Sequence, residues 1–362
     1  MMNGKKNLLI VSAVFPPVVS SGIHRIVRIS RYLSEMGVGI SVLTLDEKSL
    51  PRSYKYDHEI LKKIPDAVKI YRVPALQLLK KMIDLKNRNP STGQLPGDER
   101  KPMPPPQASK QTLTEKSAFQ KLKDTFTNNL NTPDNYALWI YPAIKAGTKI
   151  IREQGIRNVF SSSPPGSSHV VSYNLKKRTR ANWIADFRDP WAQKRWFNPE
   201  MTPFKRRKIQ RFEQTTVRAA DTLIMNTPEL LADFKSHYGV VIDEKAVAIT
   251  NGFDPADFAD LPGPNGQTNG EIVICHTGTF YRQRSPMPFL NGLRDAIKSG
   301  EVSKKFKVKF IGGVGDFAAQ VDRFLSDNHL NGSVEIIPPI PHKECLSETM
   351  RSDVLLIVQP VT

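Results

Sequence analysis

Two arginines and the backbone around them are the clearest candidates for chemistry in this sequence. Arg282 and Arg284 lie in the segment HTGTFYRQRSP, between a predicted strand and a predicted helix. Guanidinium groups and the free N–H groups at a helix start together suit a diphosphate. We therefore predict a phosphate site here, with Gly278 and Thr279 in its wall. An arginine that is merely exposed to solvent in a loop is the alternative.

A second glycine-rich turn follows in the segment FIGGVGDFA. Gly312, Gly313 and Gly315 allow a backbone to approach a ligand closely. The spacing from Gly313 to Ala318 also fits the G-x-G-x-x-A pattern of dinucleotide-binding turns. Glu335 follows at about the separation along the sequence that is expected of a ribose-binding acid. A single match of this kind is weak, so a nicotinamide-dependent oxidoreductase is a minor alternative.

The first loop of the chain, FPPVVSSG, is a further candidate ligand site. It lies between a predicted strand and a predicted helix, where open α/β sheets bind ligands. We predict that Gly22 lets a phosphate or a sugar approach the backbone. His24 and Arg28 lie on one face of the helix and are predicted to meet a phosphorylated acceptor or an anionic membrane. A solvated basic face is the alternative.

A histidine follows a later predicted strand, in the segment SSSPPGSSH. Ser167 or Ser168 is the predicted N-cap of the helix that begins there. His169, in the first turn, can face a cleft and is a candidate catalytic residue. A purely structural histidine is the alternative.

The segment ADFRDPW brings two carboxylates and a guanidinium to the end of another predicted strand. Asp186, Arg188 and Asp189 are predicted to bind hydroxyl groups of a substrate on the acceptor side. An ion-pair network inside the protein uses the same residue types equally well. The sequence leaves both interpretations open.

Alternating strands and helices position these segments. Residues 8–15 form an apolar run, a helix with apolar residues at helical spacing follows, and residues 40–45 form a second strand. This βαβ order predicts a parallel, doubly wound sheet, and a second α/β series begins at residue 272. The predicted fold class is therefore α/β, with two Rossmann-like domains. The other predicted strands are 158–161, 183–186, 222–226, 246–249, 272–277, 307–311, 334–337 and 354–358.

The domains follow from this order. Residues 1–253 form the N-terminal domain, with a disordered insertion at about 84–131 that is rich in proline and charge. Residues 254–270 concentrate turn formers and are the predicted hinge. Residues 271–362 form the second domain. A central parallel strand is normally covered by a following helix, so this domain is predicted to be either truncated or unusually small.

The composition limits the remaining functions. The chain of 362 residues carries 52 Lys and Arg against 35 Asp and Glu, a formal charge of +17, which attracts an anionic partner. The basic residues cluster at 176–180 and 204–211. These clusters are interpreted either as a patch that docks on a membrane or as a solvated helix face. No recognisable nucleic-acid-binding motif accompanies them. Cys275 and Cys345 lack metal-ligand spacing, and no metal is predicted. The two cysteines indicate no disulfide framework, so we predict a cytoplasmic protein. No apolar run is long enough to span a bilayer, so any membrane association, at the inner face, is predicted to be peripheral.

Taken together, these motifs resemble those of GT-B fold glycosyltransferases, group 1 or family 4, in order and spacing across nearly the whole chain. The residues that stand in the family's motif positions are 21–22, 164–165, 185–191, 221–227, 251–254, 277–286, 312–316 and 341–344.

The resemblance implies transfer of a hexosyl or related sugar from a nucleotide-diphosphate sugar to a polysaccharide or lipid-linked saccharide precursor, without metal or cofactor. Arg282 or Arg284 would neutralise the departing nucleoside diphosphate. Gly278 and the 312–315 turn would line the nucleotide pocket, and Gly22 would approach the donor phosphates or the acceptor. The first domain would lie on the acceptor side.

The sequence also departs from the family pattern. The first loop has one glycine, Gly22, where many relatives have two. The family's Glu-x7-Glu-like segment, which meets the donor sugar and ribose, would follow the last predicted strand and does not occur in this sequence. The expectation is thus a C-terminally incomplete glycosyltransferase. A noncatalytic GT-B-like binding protein or an inactive fragment is the alternative.

Overall fold

A computed structural model of the chain describes residues 6–20, 22–50, 54–76, 132–192, 201–261, 270–281, 284–302 and 305–359. The chain divides into two compact units, Met1–Gly252 and Phe253–Thr362, each with its own parallel sheet. The insertion predicted at about 84–131, part of the predicted hinge and Arg282 lie outside the described residues.

The first unit is built on a seven-stranded parallel sheet in the order β3-β2-β1-β4-β5-β6-β7. Its strands are β1 (Asn7–Val11), β2 (Gly39–Leu45), β3 (Lys69–Val73), β4 (Asn158–Ser163), β5 (Asn182–Phe187), β6 (Thr222–Met225) and β7 (Ala246–Ala248). The strand order runs outward from β1 in one direction and from β4 in the other. The boundary between β1 and β4 is therefore the topological switch point of the sheet, where this class of sheet binds ligands.

Helices cover the sheet of the first unit. Among the described residues they are α1 (Ile23–Glu35), α2 (Ile140–Gln154), α3 (Ser167–Thr179), α4 (Pro203–Ala219) and α5 (Pro228–Tyr238). In α1 the residues Ile23, Ile26 and Val27 are buried, which is the apolar stripe that the sequence spacing predicts. The central strands β1, β4 and β5 are largely buried, as strands covered by helices are, although β4 and β5 carry polar residues at their carboxyl ends.

Two strand predictions differ from the structure. The apolar run 8–15 continues past the end of β1 because Val14 and Phe15 are buried within the following loop. Hydrophobicity alone does not mark where strand pairing ends. Strand β3 was not predicted, since its side chains are exposed or half-buried and Lys69 and Arg72 interrupt any apolar run.

The second unit contains a four-stranded parallel sheet in the order β10-β9-β8-β11. Its strands are β8 (Glu271–Thr277), β9 (Lys305–Ile311), β10 (Val334–Ile337) and β11 (Val354–Leu355), and its helices are α6 (Met287–Lys298), α7 (Ala318–Asp327) and α8 (His342–Met350). Phe280, Leu290, Phe310 and Val321 are fully buried at its core. None of the helices in the described part of the chain is both long and apolar enough to span a membrane.

Candidate functional site

A pocket of about 330 Å³ lies in the first unit, beyond the carboxyl ends of β1, β4 and β5. The loops that follow these three strands supply much of its wall. The residues with polar side chains that line it are Ser12, Ser20, Asp134, Tyr136, Arg188 and Asp189. The pocket therefore occupies the switch point of the sheet, where the sequence placed a ligand site.

Gly22 and Arg188 are in direct contact at this pocket. A Cβ atom at position 22 would overlap the guanidinium group of Arg188, so only glycine leaves room for it. The guanidinium also donates to the backbone carbonyl of Pro164, and its Nε is buried without a hydrogen-bond partner among the described residues. Burial lowers the pKa of Arg188, while Asp186 and Asp189 act in the opposite direction. The sequence predicted both Gly22 and Arg188, and the structure brings them together.

Asp134 is a pocket residue that the sequence reasoning missed. Its carboxylate accepts hydrogen bonds from the backbone N–H and the hydroxyl of Ser167, at 2.8 and 2.6 Å, and from the backbone N–H of Tyr136 at 2.9 Å. Burial raises the pKa of Asp134, and the hydrogen bonds from Ser167 oppose that shift. The predicted caps of α3 were wrong, because Asp134 caps this helix and Ser168 instead accepts from the backbone N–H of Ala13.

Asp186 is fully buried and forms an ion pair with Arg25. The Nη2 and Nε atoms of Arg25 lie 2.7 Å from Oδ1 and 3.0 Å from Oδ2, and Ser162 donates to Oδ2 at 2.7 Å. Arg25 also donates to the carbonyl of Ile249 at 2.9 Å and to Asn251 Oδ1 at 3.1 Å. Of the two interpretations that the sequence left for Asp186, the internal ion pair is the one observed.

His169 lies in the core of the first unit. Its Nδ1 is 2.7 Å from Ser161 Oγ, which also accepts from Trp183 Nε1, and its ring stacks on Trp191 with centroids 5.2 Å apart. Burial, followed by the charge of Arg188, lowers its pKa to about 3, so the imidazole is neutral at physiological pH. A fully buried ring does not contact the contents of the pocket. The geometry favours the structural alternative over the predicted catalytic role.

Two further basic residues that were predicted as site residues of the first unit, His24 and Arg28, lie outside the pocket. Arg28 donates to the backbone carbonyl of Gly252, at the end of the unit, and His24 is half-buried on the same helix. Neither residue lines the pocket. Their predicted contact with an acceptor or a membrane stays a prediction.

In the second unit, the loops after β8 and β9 pack backbone against backbone. Thr279 Oγ1 donates to the carbonyl of Gly312 at 2.9 Å. Gly312 has a φ of +112°, and a Cβ there would lie 2.7 Å from the carbonyl oxygen of Gly278. A Cβ on Gly315 would overlap the carbonyl of Phe280. The glycines of the second unit that were predicted to bind phosphate thus share one loop cluster at the carboxyl ends of two adjacent strands.

Arg284 lies in the loop after β8 and is exposed. Its guanidinium lies 5.2 Å from the centroid of the Tyr281 ring, an arrangement in which the ring face attracts the cation. Arg284 therefore offers an accessible charge on the same loop as Gly278 and Thr279. The cation predicted at position 282 falls outside the described residues.

The dinucleotide alternative finds less support. Gly313 and Gly315 have positive φ, as a glycine-rich turn requires. Glu335, however, is the second residue of β10 and does not lie at the carboxyl end of that strand. Its carboxylate is 3.2 Å from Nζ of Lys307 on the neighbouring strand. The acid that would bind a ribose is already engaged in an ion pair.

Comparison with known proteins gives similarity in structure only. The sequence matches no protein-family model, and no curated protein sequence matches it. It is similar in structure to a glycosyltransferase from Rickettsia africae (TM-score 0.54, 13% identity, 97% of this chain and 72% of that chain). It is also similar to Anabaena HepE in complex with UDP-glucose (0.55, 11%, 97% and 72%) and to sucrose-phosphate synthase from Thermosynechococcus elongatus (0.57, 11%, 97% and 75%). The predicted fold class is confirmed: the chain has an α/β fold with two parallel sheets of the GT-B type.

Proposed function

We propose that this protein is a GT-B glycosyltransferase, of group 1 or family 4, that transfers a hexosyl or related sugar from a nucleotide-diphosphate sugar. The fold likeness to HepE, whose structure was solved with UDP-glucose, carries the proposal. The glycine-rich loop cluster of the second unit supports it, because close backbone packing without side chains suits a phosphate-binding surface.

In this proposal the second unit holds the donor. The bond between the anomeric carbon and the β-phosphate oxygen breaks, and the acceptor hydroxyl oxygen bonds to the anomeric carbon. The hydroxyl proton is released to solvent together with the nucleoside diphosphate. Arg284, together with Arg282, neutralises the negative charge that develops on the departing nucleoside diphosphate. Gly278, Thr279 and the 312–315 turn line the diphosphate. Protein cations supply the charge stabilisation, so the transfer needs no metal or cofactor.

The first unit takes the acceptor, a polysaccharide or lipid-linked saccharide precursor, in the pocket that Gly22, Arg188 and Asp189 line. The basic helix α4 supports an acceptor at an anionic membrane surface on the cytoplasmic side, since Phe204 at its start is 59% exposed beside several Lys and Arg residues. Co-sedimentation with phosphatidylglycerol vesicles tests this part. Loss of vesicle binding in Phe204→Ala supports it, and equal recovery with uncharged vesicles contradicts it.

Calorimetric titration of the chain with UDP, ADP, GDP and UDP-glucose tests the donor assignment. We expect one nucleotide to bind with a Kd below about 1 mM, unchanged by EDTA. Arg284→Ala should weaken that binding about tenfold by removing a charged hydrogen-bond donor. Arg294→Ala is the matched control. Arg294 also lies over an aromatic ring, that of Phe324, but it belongs to helix α6 and not to the loop after β8. Absence of binding by every nucleotide would overturn the proposal.

A further inference from the structure

The charges that line the pocket of the first unit do not favour a phosphorylated ligand. Two carboxylates, Asp134 and Asp189, and one guanidinium, Arg188, face it. The neighbouring Asp186 and Arg25 neutralise each other in their ion pair. A phosphate monoester would bring up to two further negative charges into a wall with one excess carboxylate, and like charges repel strongly where water is partly excluded.

One of the two helix ends at the pocket, the start of α3, is already occupied by a carboxylate of the protein itself. Phosphates bind at helix N-termini through free backbone N–H groups. At the start of α3, the carboxylate of Asp134 accepts both the backbone N–H and the hydroxyl of Ser167. The protein's own anion thus takes the place where the phosphate of a ligand would sit.

The remaining wall suits a sugar ring. Val14, Ile23 and Ile26 are buried apolar residues that line the pocket together with Pro164 and Pro165. A pyranose presents apolar C–H faces and a rim of hydroxyl groups, and carboxylates accept hydrogen bonds from hydroxyls well. Oδ2 of Asp134 accepts from the Ser167 N–H at 2.8 Å, and an oxygen of a carboxylate can accept a second hydrogen bond. A volume of about 330 Å³ is at the lower end of the range for small-molecule sites.

We infer that this pocket binds an uncharged saccharide ring through hydroxyl contacts to Asp134 and Asp189, and that these two carboxylates exclude phosphorylated sugars. The inference rests on the proposed function and names the class of its acceptor. Asp134 and Asp189 are specificity-determining residues in this assignment, and Arg188 offers its guanidinium to a ring or glycosidic oxygen.

Saturation-transfer NMR on the whole chain tests the inference. The probes are the methyl glycosides of glucose, galactose, mannose and N-acetylglucosamine, each beside the 6-phosphate of the same sugar. We expect transfer to at least one glycoside and at least about tenfold weaker binding of its 6-phosphate. Tighter binding of a phosphate, or transfer to none of the glycosides, would overturn the inference.

Two variants make the test specific. Asp189 is exposed, so Asp189→Asn should fold normally. Asp134→Asn also replaces one of the two oxygens that accept at the start of α3 with an NH2 donor. Each should weaken glycoside binding about tenfold and strengthen binding of the sugar phosphate. Glu153→Gln, an exposed carboxylate on α2, is the control and should change neither. Unchanged binding in Asp189→Asn would contradict the inference.

Failure here is distinguishable from failure of the proposed function. A chain that binds UDP and a sugar phosphate but no glycoside would overturn this inference and leave the glycosyltransferase proposal standing. A chain that binds a glycoside but no nucleotide would overturn the glycosyltransferase proposal and leave the glycoside-binding pocket standing.

Discussion

The Arg25 guanidinium makes a two-point ion pair with the fully buried carboxylate of Asp186, at 2.7 and 3.0 Å. Removing the cation leaves a buried charge without its partner. We expect Arg25→Gln to lower the free energy of unfolding by about 3–5 kcal/mol, measured by urea denaturation.

Arg31, on the same helix, is the matched control for that variant. It pairs with Glu35 at 2.9 Å, where the Glu35 side chain is 50% exposed, and exposed pairs contribute little. Arg31→Gln should cost less than about 1 kcal/mol. If both variants lost the same free energy of unfolding, the buried ion pair of Arg25 would not contribute more than an exposed one.

The contact between Gly22 and Arg188 predicts a functional defect with little loss of stability. In Gly22→Ala, the added methyl group displaces the guanidinium, which is the far end of a flexible side chain. The displacement moves a pocket residue, so we expect sugar transfer to fall at least about tenfold. The melting temperature should change little, as measured by circular dichroism. Gly292→Ala, whose Cβ would meet open space, is the control and should keep full activity.

Because His169 is buried in the neutral form, we expect the protein to lose stability at acidic pH. The pKa of His169 is about 3 in the folded chain against 6.5 for an ordinary histidine, so between these pH values the unfolded state binds a proton that the folded state does not. Stability from this group is therefore complete above pH 6.5 and is lost progressively as the pH falls towards 3.

Urea denaturation of wild type and His169→Leu between about pH 7 and about pH 4 measures this contribution. The variant should lose less stability on acidification than the wild type. His237→Leu, at an exposed position of α5, should behave like the wild type. Parallel pH profiles for wild type and His169→Leu would show that the imidazole is not buried in the neutral form.

The glycines after β9 provide a matched pair for the donor site. Gly312 and Gly313 both have positive φ, but only at Gly312 would a Cβ press on a backbone atom, the Gly278 carbonyl oxygen. Gly312→Ala should separate the two loops and reduce UDP affinity at least about tenfold by calorimetry. Gly313→Ala adds only backbone strain of about 1 kcal/mol or more. Equal UDP affinities in the two variants would argue against a role for the loop contact.

Much of the fold could be predicted from local patterns. Continuous apolar strands, breaker residues and the order of elements indicated two parallel sheets, and the carboxyl ends of adjacent strands indicated Gly22, Arg188 and Asp189. Asp134 and Arg25 could not be found in this way. Their partners lie 33 and 161 residues away along the chain, and only the folded sheet brings them together.

Release of nucleoside diphosphate from nucleotide sugars tests the central claim most directly. The chain is incubated with UDP-glucose, UDP-N-acetylglucosamine, ADP-glucose and GDP-mannose, with and without methyl glycosides, and the released nucleotide and the glycosylated product are quantified by chromatography and mass spectrometry. The glycosyltransferase assignment predicts release from at least one donor, a matching disaccharide product, and loss of both in Arg284→Ala. No release from any donor, together with no binding of any nucleotide, would contradict it.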